Sequence, residues 1–136
     1  NRKTIKKQSK NNQKAENVVC KQSKHNQNQE KKNHLDFLVS NRIDPNILMP
    51  GTGSSSLNDA IDMTKHAANH KVRAVLLLPP FYYKNVTNEG VINYYRHIIE
   101  RVGESDLQYV LYHIPQNSYV SIDFKMIEIL RMRLSH

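Results

Sequence analysis

Three apolar runs of the chain end in proline or glycine, and a stretch with helical periodicity follows each of them. The runs are Asn46–Gly53 (NILMPGTG), Arg73–Pro80 (RAVLLLPP) and Leu107–Pro115 (LQYVLYHIP). Ala74–Leu78 is apolar at every position, which predicts a strand that is buried on both faces, as in a parallel sheet. Strands and helices that alternate in this way indicate an α/β fold whose sheet is parallel.

Capping residues place the helices between these runs. Ser56, with an acidic residue three positions later, predicts the start of a helix that extends to about Asn69. Thr87 predicts the start of a second helix, and Gly103 lies where its C-terminal cap is expected. Residues 29–40 have the periodicity of the end of an amphipathic helix.

The remaining elements follow from shorter patterns. We predict short strands at Ile47–Met49 and at Leu107–Tyr112. Ser121–Asp123 opens the last helix, and its apolar residues at helical spacing predict one buried side. Those residues are Phe124, Ile127, Leu130 and Leu134.

Charge divides the chain of 136 residues into two parts. Residues 1–33 contain ten Lys/Arg and two acidic residues, which accounts for the whole net charge of +8. Residues 1–28 are predicted to be a basic low-complexity tail, disordered or weakly helical, because they hold too few apolar residues to offset the entropy of ordering. Residues 29–136 are predicted to be the α/β segment.

The tail has a functional interpretation and simpler ones. A basic arm could contact the phosphates of nucleic acid, but no aromatic residue is interleaved to stack on bases, so a solvated tail or an altered, once-ordered stretch is favoured and nucleic-acid binding is not expected. One cysteine, Cys20, excludes an internal disulfide. The chain shows neither an apolar run of membrane-spanning length nor a secretory signal, so we expect a cytoplasmic protein.

Parallel sheets bind ligands at the carboxyl ends of their strands, so candidate chemistry is sought there. The polar residues at these ends are Thr52, Ser54 and Ser55, then Tyr82 and Tyr83, then Tyr112 and His113. No pair of carboxylates converges among them. We see no metal-ligand spacing among the seven histidines and expect no metal. The sequence Gly51–Gly53 is too short for a dinucleotide or P-loop fingerprint.

Three tyrosines near one rim suit proton transfer and hydrogen bonding to an oxygen-rich substrate. Each also has a structural interpretation. Tyr112 can be a strand-end phenol that bonds the backbone, and Tyr82 and Tyr83 can be an aromatic loop at a subunit contact. Because side chains alternate along a strand, His113 is expected to point away from Tyr112, toward the surrounding helices.

Three pieces of the sequence together resemble a known family. They are PGTGSSSLNDAIDMTKHA (Pro50–Ala67), AVLLLPPFYYKNVTNEG (Ala74–Gly90) and VLYHIP (Val110–Pro115). In order and separation, residues 35–130 resemble the dihydrodipicolinate synthase / N-acetylneuraminate lyase family of Schiff-base aldolases. The resemblance implies an α/β fold that is part of a (β/α)8 TIM barrel, about strands three to five with their helices.

The resemblance also implies an activity and roles for residues. The family joins a lysine to pyruvate or another 2-oxo acid as an imine, needs no cofactor, and usually forms homo-oligomers. Tyr112 matches the tyrosine that relays a proton, and one of Tyr82 and Tyr83 matches a tyrosine inserted into the site of a neighbouring subunit. Gly51 and Gly53 match the glycine-rich end of the third barrel strand, and Gly51, Thr52 and Gly53 are the candidate substrate-binding residues.

Departures from the family pattern shape the functional hypothesis. The imine lysine would fall at about position 140, and Lys125 occupies a helix position instead. The second-strand motif that binds the substrate carboxylate has no match, and Asn117 replaces an arginine found in synthases, which argues against aspartate semialdehyde. We therefore expect a fragment of a lyase or aldolase that is inactive alone. The alternatives are a non-catalytic interaction protein that uses its basic tail, and a decayed or misread gene.

Overall fold

The computed structural model describes residues 27–83, 85–103 and 106–134. The chain divides into two compact units, residues 1–34 and 35–136. The described residues of the first unit, 27–34, are helical. The predicted basic tail, except for residues 27 and 28, lies outside the described residues. None of the helices in the described ranges combines the length and the apolar character that crossing a bilayer would require.

The elements alternate as the sequence predicts. In chain order they are α1 (residues 27–40), a 3-10 turn (Pro45–Ile47), α2 (Leu57–Asn69), β1 (Ala74–Leu77), α3 (Asn88–Val102), β2 (Gln108–Leu111), α4 (Pro115–Ser118) and α5 (Phe124–Leu134). The strands β1 and β2 are parallel, with Ala74 opposite Gln108 and Leu77 opposite Leu111. Helix α3 joins them and packs against α2 and α5, so that these three helices form one layer.

The predicted caps are confirmed. The Asp59 amide donates to Ser56 Oγ at 3.4 Å, which caps the start of α2. The Gly90 amide donates to Thr87 Oγ1 at 3.1 Å at the start of α3. Gly103 ends α3 with φ of 71°, a left-handed conformation that glycine adopts without strain. These local interactions determine where α2 and α3 begin and where α3 ends.

The prediction of a strand at Ile47–Met49 is wrong. Pro45–Ile47 is a 3-10 turn, because the Asp44 side chain accepts from the Asn46 amide and proline begins the turn. Parallel pairing occurs slightly later in the chain. Pro50 and Thr52 bond to the two backbone groups of Leu76, which leaves Gly51 as an isolated bridge beside β1.

The core lies between the sheet and the helix layer. Val75 and Leu77 of β1 are fully buried there. The largest side chains packed into the same layer come from the helices, and they are Tyr95 and Ile98 of α3 and Met126 of α5.

The other face of β1 does not match the prediction of burial on both sides. Ala74 and Leu76 keep an intermediate exposure, and Val110, which pairs with Leu76 in the register, is 40% exposed. The helix layer lies on only one side of the sheet in the described part of the chain. The second face of the sheet is therefore open.

The predicted buried side of α5 is confirmed at Leu130 and is wrong at Phe124 and Ile127. Phe124 is 88% exposed and Ile127 is 45% exposed, whereas Met126 and Leu130 are buried. Helix α5 packs against α3, and its buried residues Met126 and Leu130 are four residues apart and share a face. The side chain of Leu134 lies outside the described residues.

The amphipathic pattern at residues 29–40 is confirmed only in part. These residues are helical, but Leu35 alone of the apolar residues is fully buried. Val39 packs at the edge of the core, whereas Phe37 is 64% exposed and Leu38 is 38% exposed. The apolar residues of this helix therefore spread around its axis more widely than one buried stripe.

Two neighbouring tyrosines of α3 have opposite hydrogen-bonding states. The Tyr94 hydroxyl donates to the Ser54 carbonyl at 3.1 Å, and burial raises the pKa of Tyr94 to about 12. Tyr95 is fully buried, and its hydroxyl has no hydrogen-bond partner among the described residues. Burial raises the pKa of Tyr95 above its ordinary range.

We expect Tyr95→Phe to raise the free energy of unfolding by about 1 kcal/mol, because it removes a buried hydroxyl that is desolvated without compensation. Tyr94→Phe should lower the free energy of unfolding by about 1 kcal/mol, because it removes a satisfied hydrogen bond. Urea denaturation of both variants beside the wild type measures the difference. A loss of stability in Tyr95→Phe equal to that in Tyr94→Phe would contradict this assignment.

Candidate active site at the strand ends

The carboxyl ends of three chain segments lie side by side along one edge of the sheet. Leu76 accepts from the Thr52 amide at 3.0 Å on one side of β1. On the other side, the Tyr112 amide donates to the Leu77 carbonyl at 2.8 Å. The backbone therefore brings the Gly51–Gly53 segment, the end of β1 and Tyr112 together. This is the arrangement of a ligand-binding rim in a parallel α/β fold.

Tyr112 lies on the open face of the sheet. Side chains alternate along a strand, so Tyr112 shares its face with Val110 and not with Leu111, which packs against the core. Its side chain is 43% exposed at the strand end. A phenol in this position can exchange a proton with a ligand on the open face.

Tyr82 and Tyr83 form an aromatic pair on the loop after β1. Their rings are 5.5 Å apart and nearly perpendicular, the edge-to-face arrangement that aromatic rings prefer. Tyr82 is 72% exposed and Tyr83 is 63% exposed. Within the described residues, no hydrogen bond or ring contact joins them to Tyr112. Both rings are therefore presented to solvent or to another chain.

The Thr52 side chain does not point to the rim. It is 1% exposed, and its hydroxyl is hydrogen-bonded to that of Thr64 on α2 at 2.8 Å. Thr64 also donates to the Ala60 carbonyl. Since the Thr52 amide is occupied by Leu76, the side chain and the amide of Thr52 both hold the rim segment onto the fold.

The two glycines beside Thr52 have different surroundings. A Cβ added to Gly53 would lie 2.7 Å from the backbone nitrogen of Leu78 and 2.9 Å from its Cβ. A Cβ on Gly51 would meet nothing within 4 Å. Gly53 is therefore required for the close approach of the rim segment to the end of β1, whereas Gly51 is an open position.

Other polar residues of the rim make local structure. Ser54 Oγ accepts from the Ser56 amide at 3.3 Å, and the Ser54 carbonyl accepts from Tyr94. His113 is exposed, and its Nδ1 accepts from the Ile122 amide at 3.1 Å, just before α5. Tyr94 was missed as a rim residue, because its helical spacing indicated only a core position.

A second polar cluster lies away from this rim. Asp36, His66 and His70 place one ligand atom each within 4.8 Å of one another, an arrangement that could hold a metal ion. His66 and His70 are one helical turn apart, as in known zinc motifs, so the expectation that the histidines have no metal-ligand spacing is wrong for this pair. The third ligand, Asp36, lies on another helix, so no local sequence pattern could indicate that it joins the two histidines.

Comparison with known proteins identifies a family and individual relatives that match most of this chain. A family model described as the dihydrodipicolinate synthetase family matches residues 18–134. An uncharacterized DapA-like lyase of Chloroflexus aurantiacus is 32% identical over 94 residues, which are 69% of this chain and 31% of that protein. The 2-dehydro-3-deoxy-D-gluconate/2-dehydro-3-deoxy-phosphogluconate aldolase of Picrophilus torridus is 33% identical over 87 residues, or 64% of this chain and 30% of that protein.

A solved structure shows the same local fold. The crystal structure of dihydrodipicolinate synthase from Agrobacterium tumefaciens superposes with a TM-score of 0.69 at 26% identity. The match covers 74% of this chain and 35% of that one. The chain thus spans about a third of the length of the relatives it matches. The α/β segment described above is a part of their architecture.

We expect Gly53→Ala to lower the free energy of unfolding by about 1–3 kcal/mol, because the new methyl group collides with the backbone of Leu78. Gly51→Ala is the matched control. It should change the free energy of unfolding by less than about 0.5 kcal/mol, because a Cβ at this position meets no other atom within 4 Å. Denaturant unfolding of both variants measures the contrast. Equal effects of the two substitutions would show that the close approach at Gly53 is not rigid.

Proposed function

The chain belongs to the dihydrodipicolinate synthetase family, and from this premise we propose that it is a segment of a Schiff-base lyase of the aldolase type that acts on pyruvate or another 2-oxo acid. The family resemblance that the sequence analysis drew is confirmed. The relatives include an aldolase named for 2-dehydro-3-deoxy-D-gluconate and a synthase. In this proposal, β1 and β2 are the fourth and fifth strands of a (β/α)8 barrel, and the Gly51 segment ends the third.

The position of Tyr112 is the observation that carries the proposal. It follows β2 directly, lies on the face of the sheet opposite the helices, and is partly exposed. In a closed barrel, that face is the interior, and the carboxyl ends of the strands form the active-site mouth. Tyr112 is therefore suited to donate a proton to a substrate oxygen and to take it back, as a general acid and base.

We further propose that imine formation requires an amine from outside these 136 residues. Lys125 is exposed on α5, in the helix layer on the opposite side of the sheet from Tyr112. An amine there cannot reach a substrate carbonyl on the open face. The proton relay and the imine lysine would thus come from different parts of a longer chain.

The exposed pair Tyr82 and Tyr83 supports a proposal about assembly. Aromatic side chains such as Tyr are enriched among the residues that contribute most of the binding energy of protein interfaces, so two adjacent solvent-facing rings suit a contact with a partner. In a homo-oligomer, one of them would enter the mouth of a neighbouring barrel. Residues 1–26 of the basic tail, which would carry the alternative interaction function, lie outside the described residues, and no observation on residues 27 and 28 favours that function.

A chimera tests the role of Tyr112 where all barrel strands are present. Residues 46–119 replace the matching segment of the Picrophilus torridus aldolase, and retro-aldol cleavage is measured by pyruvate release. We expect Tyr112→Phe in the chimera to lower kcat by about 10²–10⁴-fold, which is the usual contribution of a positioned acid or base.

Tyr119→Phe is the matched control, because Tyr119 is 72% exposed and lies past the strand end. It should leave kcat within about twofold of the parent chimera, since surface substitutions are usually mild. Comparable kcat values for Tyr112→Phe and the parent chimera, with both proteins folded, would refute the assignment of Tyr112 as the relay.

A further inference from the structure

The cluster of Asp36, His66 and His70 joins helix α1 to the end of helix α2. Asp36 Oδ1 lies 2.6 Å from His70 Nε2 and 2.8 Å from His66 Nε2. The two imidazole rings meet edge to face with centroids 4.9 Å apart. We propose that these three side chains form a zinc-binding site that is separate from the strand-end rim.

The donor set suits zinc. Two imidazole nitrogens and one carboxylate oxygen are ligands that Zn²⁺ commonly takes, and a water molecule can supply a fourth. His66 and His70 are separated by four positions, so they point from the same face of α2. Asp36 is 47% exposed at its side chain, which leaves an open side for that water.

One nitrogen of the cluster has no hydrogen bond within the described ranges. His66 Nε2 is buried and close to Asp36 Oδ1, but the contact does not have hydrogen-bond geometry, and the nitrogen has no hydrogen-bond partner among the described residues. His70 Nε2 is hydrogen-bonded to the same oxygen. A buried nitrogen of this kind needs an explanation, and a metal ion that accepts its lone pair provides one.

The present distances are compatible with entry of the ion after a small movement. Ligand atoms about 2.0 Å from a tetrahedral zinc ion lie roughly 3.3 Å from one another. The separations from Asp36 Oδ1 are shorter than this by about half an ångström. Because Asp36 is the most exposed of the three side chains, a change of its rotamer can open that space without moving α2.

An ion pair of Asp36 with His66 and His70 is the competing explanation. The hydrogen bond from His70 and the charges of both rings outweigh the opposing effect of desolvation, so the pKa of Asp36 lies below its ordinary value of 3.8. This ion pair would explain the contact with His70. It also accounts for the 2.8 Å contact with His66 but leaves the buried Nε2 of that ring without a hydrogen bond among the described residues, whereas zinc would use both nitrogens in the same way.

The location indicates a structural role. Helix α2 begins at Ser56 beside the strand-end rim, and His70 caps its other end, just before β1. A helix of 13 residues is about 20 Å long. Zinc at His66 and His70 would therefore fasten α1 to α2 at the opposite end of the helix from the proposed catalytic mouth.

Zinc affinity of the 136-residue chain tests the site by competition with a chromophoric chelator. We expect one tightly bound Zn²⁺ whose affinity falls at least about tenfold in each of His66→Gln, His70→Gln and Asp36→Asn, because each removes a ligand. His97→Gln is the matched control, since His97 is an exposed histidine of α3. It should bind zinc as the wild type does.

X-ray absorption at the zinc edge of the wild-type chain provides a second readout that needs no variant. Two imidazole ligands at about 2.0 Å and no sulfur are expected. Coordination by sulfur, which would implicate Cys20, would overturn the proposal. Affinity in the His66→Gln and His70→Gln variants equal to that of His97→Gln would also overturn it and would leave the ion pair as the role of the cluster.

Discussion

The backbone ladder on both edges of β1 is the constraint on which the rest of the structure depends. On one edge, Leu76 donates to the Pro50 carbonyl and accepts from the Thr52 amide. On the other edge, β2 pairs in parallel over four residues, and Tyr112 extends the pairing past its end. Because parallel neighbours end together, this ladder places three chain segments at one rim. The helices follow, since each must return the chain to the start of the next strand.

The ladder also divides the sheet into two unlike faces. Val75 and Leu77 turn to the helix layer and are fully buried, while Leu76 and Val110 turn to the open face. An apolar face of this kind is stable when further strands curl around it, as they do in a closed barrel. The candidate chemistry lies on that face. The same feature that leaves apolar surface uncovered in this segment makes Tyr112 accessible at the rim.

Most features that could be predicted from the sequence depend on interactions between residues that are close together in the chain. Ser56, Thr87 and Gly103 determine helix ends through hydrogen bonds within a few residues, so their patterns are read directly. The continuous apolar run of β1 predicts a strand. Ile47–Met49 has a similar composition, but Asp44 and Pro45 favour a 3-10 turn there, and pairing with Leu76 decides which residues join the sheet.

Features that depend on packing between distant segments could not be predicted. On α5, which packs against α3, Met126 and Leu130 are buried and Phe124 is not. The burial of Thr52 depends on Thr64 across the helix layer. The cluster at His66 needed Asp36, which is thirty residues earlier and on another helix. In each case, the residue that makes the deciding contact lies far away in the sequence.

Borohydride trapping on the 136-residue chain tests most directly the claim that the imine-forming amine lies outside it. The chain is incubated with pyruvate, reduced, and examined by mass spectrometry, with the Picrophilus torridus aldolase treated in parallel as the positive control. We predict an adduct on the aldolase and none on this chain. A reduced pyruvate adduct on a lysine of this chain, such as Lys125, would contradict the assignment of the imine to residues outside it.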